Sequence, residues 1–210
     1  MRSHSFQGAG SVIIISAPSG SGKSTVVRRL RASLRELEFS VSYTTRSPRP
    51  REKNGRDYHF VSAARFRQMA DRHEFLEWAR VYGNAYGTSL QQIQRAQRQR
   101  RDILLDIDVE GHHKVRQQLP QAVSIFLLPP SFEELRRRLT RRHADAPEVI
   151  EKRLAAAREE IAHWQEYDYA VVNEDVSQAT RALRAIVKAA RWRRDSQKEN
   201  ILEISNTFGG

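Results

Sequence analysis

Apolar and polar positions along the chain switch between two periods, and the switching lays out the elements. Val12-Ile13-Ile14-Ile15 is an unbroken β-branched run, the pattern of a parallel strand buried on both faces. A loop with Gly20 and Gly22 follows, and then Val27, Leu30, Leu34 and Leu37 recur at helical spacing. Phe39 to Tyr43 alternates as one strand, and Thr44 to Glu52, with two prolines, predicts a cationic loop. Tyr58 to Val61 predicts a short strand, Ser62 caps a helix burying Phe66 and Met69, and Phe75 to Tyr82 predicts another strand. Gly83 to Gly87 predicts a turn, with Thr88 capping a helix that carries Leu90 and Ile93.

The second half is more regular. Asp102-Ile103-Leu104-Leu105-Asp106-Ile107-Asp108 is an apolar strand ending in acids, followed by a helix over Val109–Gln118 and a strand over Val123–Leu128. Pro129-Pro130 stops that strand, and Ser131-x-x-Glu134 is a capping box for a helix to about Leu139. Thr140–Ala146 is a polar break. From Pro147 a helix carries Ile150, Leu154, Ala157, Ile161 and Trp164 on one stripe. Tyr169-Ala170-Val171-Val172 is the last predicted strand, a helix from about Ser177 shows Leu183, Ile186, Val187 and Ala190, and the tail beyond about Asn200 is expected to be loose. Strand–helix alternation at both ends predicts an α/β fold, a parallel sheet core covered by helices on both faces, with residues 40–88 as a small α+β insertion.

Composition narrows the class. A length of 210 residues suits one domain with small insertions, and no run of about 18 apolar residues predicts a membrane span. Met1 to Gly10 lacks an apolar stretch and is expected to be a disordered lead-in, not a secretory signal. The absence of cysteine excludes disulfides, thiolate metal sites and cysteine nucleophiles, and fits a cytoplasmic location. The net charge of +11 suggests a polyanionic partner. Its arginines cluster at Arg95–Arg101, Arg136–Arg142 and Arg181–Arg194, all on segments with helical spacing, so they read as solvated faces; no specific nucleic-acid partner is expected.

The chemistry begins at Ala17-Pro18-Ser19-Gly20-Ser21-Gly22-Lys23-Ser24-Thr25. A strand, a glycine-rich loop, Lys-Ser and a helix form the context of a phosphate-binding loop, although Ala17 stands where the strict pattern has glycine. Glycines let backbone N–H groups turn toward phosphate oxygens, and the helix N-terminus adds its dipole. Lys23 would reach the β- and γ-phosphates, and the Ser24 hydroxyl would bind Mg²⁺.

With these residues in view the chain resembles the guanylate kinase family over about Val12 to Asp175. Beyond the loop, the resemblance rests on Val41-Ser42-Tyr43-Thr44-Thr45-Arg46-x-Pro48-Arg49-Pro50, Tyr82-Gly83-Asn84-x-Tyr86-Gly87-Thr88, Leu105-Asp106-Ile107-Asp108, Ile125 to Ser131, and Tyr167-Asp168-Tyr169-x-Val171-Val172-Asn173. It implies a P-loop kinase fold in three parts: a core (about 11–39, 89–133 and 161–200), a GMP-binding insertion (about 40–88) and a helical lid (about 134–160), with 201–210 as tail. It implies transfer of the γ-phosphate of MgATP to GMP. Ser42, Arg46, Arg49 and Tyr58 match positions that hold the GMP phosphate; Glu77, Thr88 and Asp106 match positions that read guanine, and Tyr86 joins the GMP site. Arg142 and Arg153 match lid arginines that close on ATP, with Arg138 and Arg141 near enough in sequence to compete for the first role. Asn173 matches a residue beside the adenine, Glu52 an acid near the reacting phosphates, and Asp106 or Asp108 would assist Mg²⁺ through water. Arg51 and His143 stand where the family commonly has glycine. A catalytically inactive binding module and a P-loop kinase with another nucleotide acceptor are the rival readings. Monomer and homo-oligomer are equally compatible with the sequence.

Overall fold

The computed structural model describes residues 10–81, 83–141 and 146–209. In chain order the elements are β1 (Val12–Ser16), α1 (Lys23–Ser33), β2 (Glu38–Phe39), β3 (Tyr43–Thr44), β4 (His59–Phe60), α2 (Ala63–Asp71), β5 (Phe75–Val81), β6 (Asn84–Ser89), α3 (Leu90–Arg98), β7 (Ile103–Asp106), α4 (Val109–Gln118), β8 (Val123–Leu128), α5 (Phe132–Thr140), α6 (Pro147–Ala162), β9 (Tyr169–Val172), α7 (Val176–Ala190) and α8 (Lys198–Thr207).

A five-stranded sheet in the order β2-β7-β1-β8-β9, parallel throughout, forms the core. Side chains alternate across a strand, so a strand covered on both faces must be apolar at every position. In β1, Ile13 and Ile15 pack with Val26, Val27 and Leu30 of α1 and Leu183 and Val187 of α7, while Val12 and Ile14 pack with Ile93 of α3 and Val115 of α4. Asp168 locks the sheet's far side: its carboxylate accepts from the Ser124 backbone N–H at 2.8 Å and the Ser124 hydroxyl at 3.0 Å, with Arg116 beside it.

A second sheet, β4-β3-β6-β5, belongs to the insertion and has its own apolar cluster of Phe66, Met69 and Phe75. Helices α5 and α6 share a third, built on Leu135, Leu139, Leu154 and Ala157.

Several elements differ from the sequence reading. The strand expected over Phe39–Tyr43 is divided between the sheets: β2 pairs with β7, β3 pairs with β4 and β6, and Ser40–Ser42 crosses between them. Gln92 of α3 bridges that crossing, accepting from the Val41 N–H and donating to its carbonyl, both at 3.0 Å. Gly83–Gly87 is not a turn as a whole; Asn84–Ser89 is a strand paired antiparallel with β5, and Ser89, not Thr88, precedes α3. Only half of the expected capping box forms: the Ser131 hydroxyl accepts the Glu134 N–H, while the Glu134 carboxylate turns to Arg137 and Arg138. α6 stops at Ala162, so Trp164 leaves the helical stripe and is exposed. The tail expected to be loose is helical over Lys198–Thr207, with Glu199 in its first turn and Ile201, Leu202 and Ile204 about half exposed. An ion pair from Arg100 to Glu199 at 2.9 Å and the buried Asn200 tie α8 to the rest of the chain. The lead-in before Gly10 lies outside the described residues.

Candidate active site

The phosphate loop leaves β1 at Ser16 and enters α1 at Lys23. Gly20 and Gly22 have φ of 94° and 90°, in the left-handed region that glycine adopts without a Cβ penalty. Because left-handed Gly22 is the residue preceding α1, no side chain caps the helix, so its first N–H groups remain available to an anion. The loop is braced from behind. Asn173 donates to the Ser21 carbonyl at 2.7 Å, and Arg138 spans the Ser21 carbonyl at 3.2 Å and the Asn173 carbonyl at 3.0 Å. A Cβ on Gly22 would lie 2.5 Å from the Asn173 amide nitrogen. Gly22→Ala therefore combines an unfavourable φ with loss of that brace, and is expected to lower stability by about 2 kcal/mol, read as a lower urea midpoint.

Lys23 reaches across to the end of β7, where its ammonium lies 2.6 Å from Asp106 and 3.3 Å from the Ile107 carbonyl. Burial alone would lower the Lys23 pKa, but the Asp106 carboxylate outweighs it and holds the ammonium above its ordinary value. Asp108 caps α4, accepting the Gly111 N–H at 2.7 Å, so the carboxylate considered for Mg²⁺ also has a structural task. Ser24 is exposed in the first turn of α1.

The acceptor side is built by the insertion. Arg46 forks onto Glu52 with two bonds of 3.0 Å, its guanidinium 5.3 Å from the Tyr58 ring centroid, and Tyr86 stands 5.9 Å from that ring. Glu52 also accepts the Arg49 N–H at 2.7 Å. Hydrogen bonds from Arg46 hold Glu52 below the ordinary carboxylate range, while burial pushes the Tyr58 phenol up. Ser42 lies half-buried just before β3, its carbonyl accepting from His59. Arg51, standing where glycine is common, has φ 77°, so the loop keeps the left-handed turn at the cost of a strained L-residue.

Glu77 on β5 is buried and accepts the Thr88 hydroxyl at 2.6 Å. Burial pushes its carboxyl up to about 7, against the lowering effect of that hydrogen bond. A Cβ on Gly111 would lie 3.2 Å from the Glu77 carboxylate, so glycine is what lets the first turn of α4 close this pocket. Asp108 acts electrostatically on both Glu77 and Lys23, which sets the two in one site.

Not every expected residue falls in place. Asn173, expected beside the adenine, is fully buried and engaged with the loop backbone. Arg142 lies outside the described residues, as do His143 and Tyr82. Arg153 is half-buried on α6. Two groups have more prominent places than the sequence suggested. Arg138, weighed only as a competitor of Arg142, grips the loop. Glu160, near the end of α6, has one carboxylate oxygen buried without a hydrogen-bond partner, and burial raises its pKa. Nothing local to Arg138 or Glu160 marked these places, because the loop contacts of Arg138 are long-range.

Comparison with known proteins agrees with this architecture. Residues 9–190 match the family model described as guanylate kinase. The chain is 52% identical over 182 residues to a guanylate kinase of Dechloromonas aromatica, covering 87% of this chain and 90% of that one. It is 49% identical over 194 residues to that of Aromatoleum aromaticum, with 92% and 95% covered. The crystal structure of guanylate kinase from Anaplasma phagocytophilum superposes with a TM-score of 0.76 at 34% identity, covering 90% of each chain. With half the residues shared across nearly the whole length of such relatives, this chain belongs to the guanylate kinase family.

Proposed function

We propose that the chain transfers the γ-phosphate of ATP to GMP, giving GDP and ADP, through the residue roles that follow. The observation that carries this assignment is the pairing, within one site, of a phosphate loop whose lysine is anchored at a strand end with a buried carboxylate–hydroxyl pair suited to a guanine edge. Glu77 accepts from guanine N1–H and the exocyclic amine, a donor pair that adenine lacks, and Thr88 and Asp106 complete the base contacts. Arg46, Arg49, Ser42 and Tyr58 take the GMP phosphate, forked guanidiniums and hydroxyls being matched to a dianion, and Tyr86 joins the GMP site. The available backbone N–H groups between Ala17 and Thr25, Pro18 having none, take the ATP phosphates, and Asn173 both braces that loop and stands beside the adenine.

The transferred phosphoryl needs positioning and charge stabilisation more than covalent help. One oxygen of the GMP phosphate attacks the γ-phosphorus in line while ADP leaves, and no general base is required because the nucleophile is already anionic. Lys23 turns from Asp106 to the γ-oxygens, and Arg46 from Glu52 to the acceptor phosphate. Arg142 and Arg153 close from the lid to offset charge spreading over the transferring group and to exclude water. The Ser24 hydroxyl, with Asp106 or Asp108 assisting through water, is an all-oxygen set that would hold Mg²⁺, and the ion would supply charge neutralisation at the phosphates. No helix among the described residues is long and apolar enough to cross a membrane, which agrees with a cytoplasmic enzyme acting on small nucleotides. The surplus positive charge attracts nucleic acid only non-specifically and at low salt.

The test is ADP release from MgATP with GMP, AMP, CMP and UMP supplied separately. Turnover is expected with GMP and near background with the others. Turnover with another acceptor would move the base-reading role away from Glu77 and Thr88. No turnover with any acceptor, in a folded protein that binds GMP, would favour the inactive binding module.

A further inference from the structure

Away from the nucleotide site, three histidines and a carboxylate gather where α4 meets the one-turn 3-10 helix His163–Glu166 that ends α6. His113 Nε2 and His163 Nδ1 each bond one oxygen of Glu166, the second at 2.7 Å, and the two imidazoles stand 5.4 Å apart. His112 lies behind them, 2% exposed and stacked on Tyr167 at 3.9 Å. Both of its ring nitrogens are buried with no hydrogen-bond partner. A buried imidazole with neither nitrogen satisfied is costly unless something else meets it.

One ligand atom each from His112, His113 and Glu166 lies within 4.8 Å of the others. We propose that His112, His113 and Glu166 form a binding site for a divalent first-row transition-metal ion, Zn²⁺ foremost, with His163 orienting Glu166. Around a tetrahedral Zn²⁺ the ligand atoms stand about 3.3 Å apart, so small side-chain rotations close the site, and the ion takes the place of the His113–Glu166 bond. Two imidazoles and a carboxylate select Zn²⁺, Co²⁺, Ni²⁺ or Cu²⁺ over Mg²⁺, which prefers oxygen throughout, so the site is distinct from that of the nucleotide-bound ion. His113, His163 and Glu166 are each about 40% exposed on the side chain, which gives an ion a way in. Bound there, the ion ties the root of α6 to α4, the helix whose first turn closes over Glu77.

The experiment uses the full chain without a histidine tag, stripped by chelator, with no nucleotide present. Calorimetric titration with Zn²⁺ is expected to show one equivalent bound, Co²⁺ to give the intense visible absorption of a low-coordinate nitrogen-ligated ion, and Zn²⁺ to raise the melting temperature. His113→Ala is expected to abolish uptake. His112→Phe keeps the stack on Tyr167 but removes both nitrogens, and is expected to do the same. His163→Ala is expected to weaken binding about 10- to 100-fold, as loss of a group that orients a ligand does. GMP turnover with Mg²⁺ by the stripped variants is expected to match the stripped parent. Absence of stoichiometric uptake by the parent, or equal uptake by His113→Ala and His112→Phe, would overturn the site and leave an ordinary histidine–glutamate ion-pair cluster.

Discussion

Replacing Lys23 with alanine is expected to lower kcat for GMP phosphorylation by about 10³-fold or more, with a much smaller change in KM for GMP. The ammonium is the one side-chain cation carried by the phosphate loop, and a preorganised positive group at the transferring phosphoryl contributes on this scale in related chemistry. The substitution also leaves Asp106, 2.6 Å from the ammonium in the parent, without its partner. That carboxylate is only partly buried, so its loss of a partner is expected to move the melting temperature by a few degrees at most. A thermal melt beside the kinetics separates the two effects. Turnover within tenfold of the parent would remove the loop from the mechanism.

The second large effect is at Glu77. Glu77→Gln is expected to lower kcat/KM for GMP by about 10²-fold at pH 8 while leaving ATP binding intact, because an amide cannot offer two acceptors to the guanine donor pair. The raised carboxyl also makes guanine reading depend on pH. Below about 7 Glu77 is protonated and cannot accept from N1–H, so kcat/KM for GMP in the parent falls by up to about tenfold per pH unit. The GMP phosphate itself titrates near pH 6, as phosphate monoesters do, so the diagnostic is the part of the profile that disappears in the Gln variant. Stability moves the opposite way. Below 4.5 Glu77 is protonated in both folded and unfolded chains. Between 4.5 and about 7 the unfolded chain ionises while the folded one holds its proton, so stability falls as pH rises, and above about 7 the loss is complete. The rise from 4.5 to about 7 corresponds to about 3 kcal/mol. Glu77→Gln is therefore expected to melt higher than the parent at pH 8 and to bind GMP worse. A variant that melts lower at pH 8 would count against the raised pKa.

Much of the core was legible because its strands obey a simple constraint. β1, β7 and β8 are covered on both faces, so each is apolar but for Ser16, Asp106 and Ser124, and each is followed by a helix. The insertion was harder to read. β2 and β3 share one continuous alternating stretch, and nothing in Phe39-Ser40-Val41-Ser42-Tyr43 announces that its ends join different sheets; that division is set by the partners, β7 and β6. Gly83 and Gly87 flank Asn84-Ala85-Tyr86, a turn by composition, which is strand from Asn84 onward only because β5 pairs with it. In the site, Lys23 was marked by its phosphate-loop motif, and Glu77, Thr88 and Arg46 by the resemblance to guanylate kinases. Arg138 bridging the loop and Asn173, and the burial of a Glu160 carboxylate oxygen, depend on how α5 and α6 pack, which is a tertiary fact.

The ion pairs within the site bear on how it behaves toward ordinary solutes. Lys23 is engaged by Asp106 and Arg46 by both oxygens of Glu52. Any anion that takes one of these cations must first displace a carboxylate that is covalently tethered and already well aligned. Sulfate, chloride or inorganic phosphate makes that exchange for a single cation and gains little beyond what it breaks. A nucleotide brings several phosphate oxygens and a base that binds elsewhere, so the exchange is supported by contacts a simple salt cannot make. The internal carboxylates thus act as a screen, keeping a strongly cationic protein's active site from filling with the buffer.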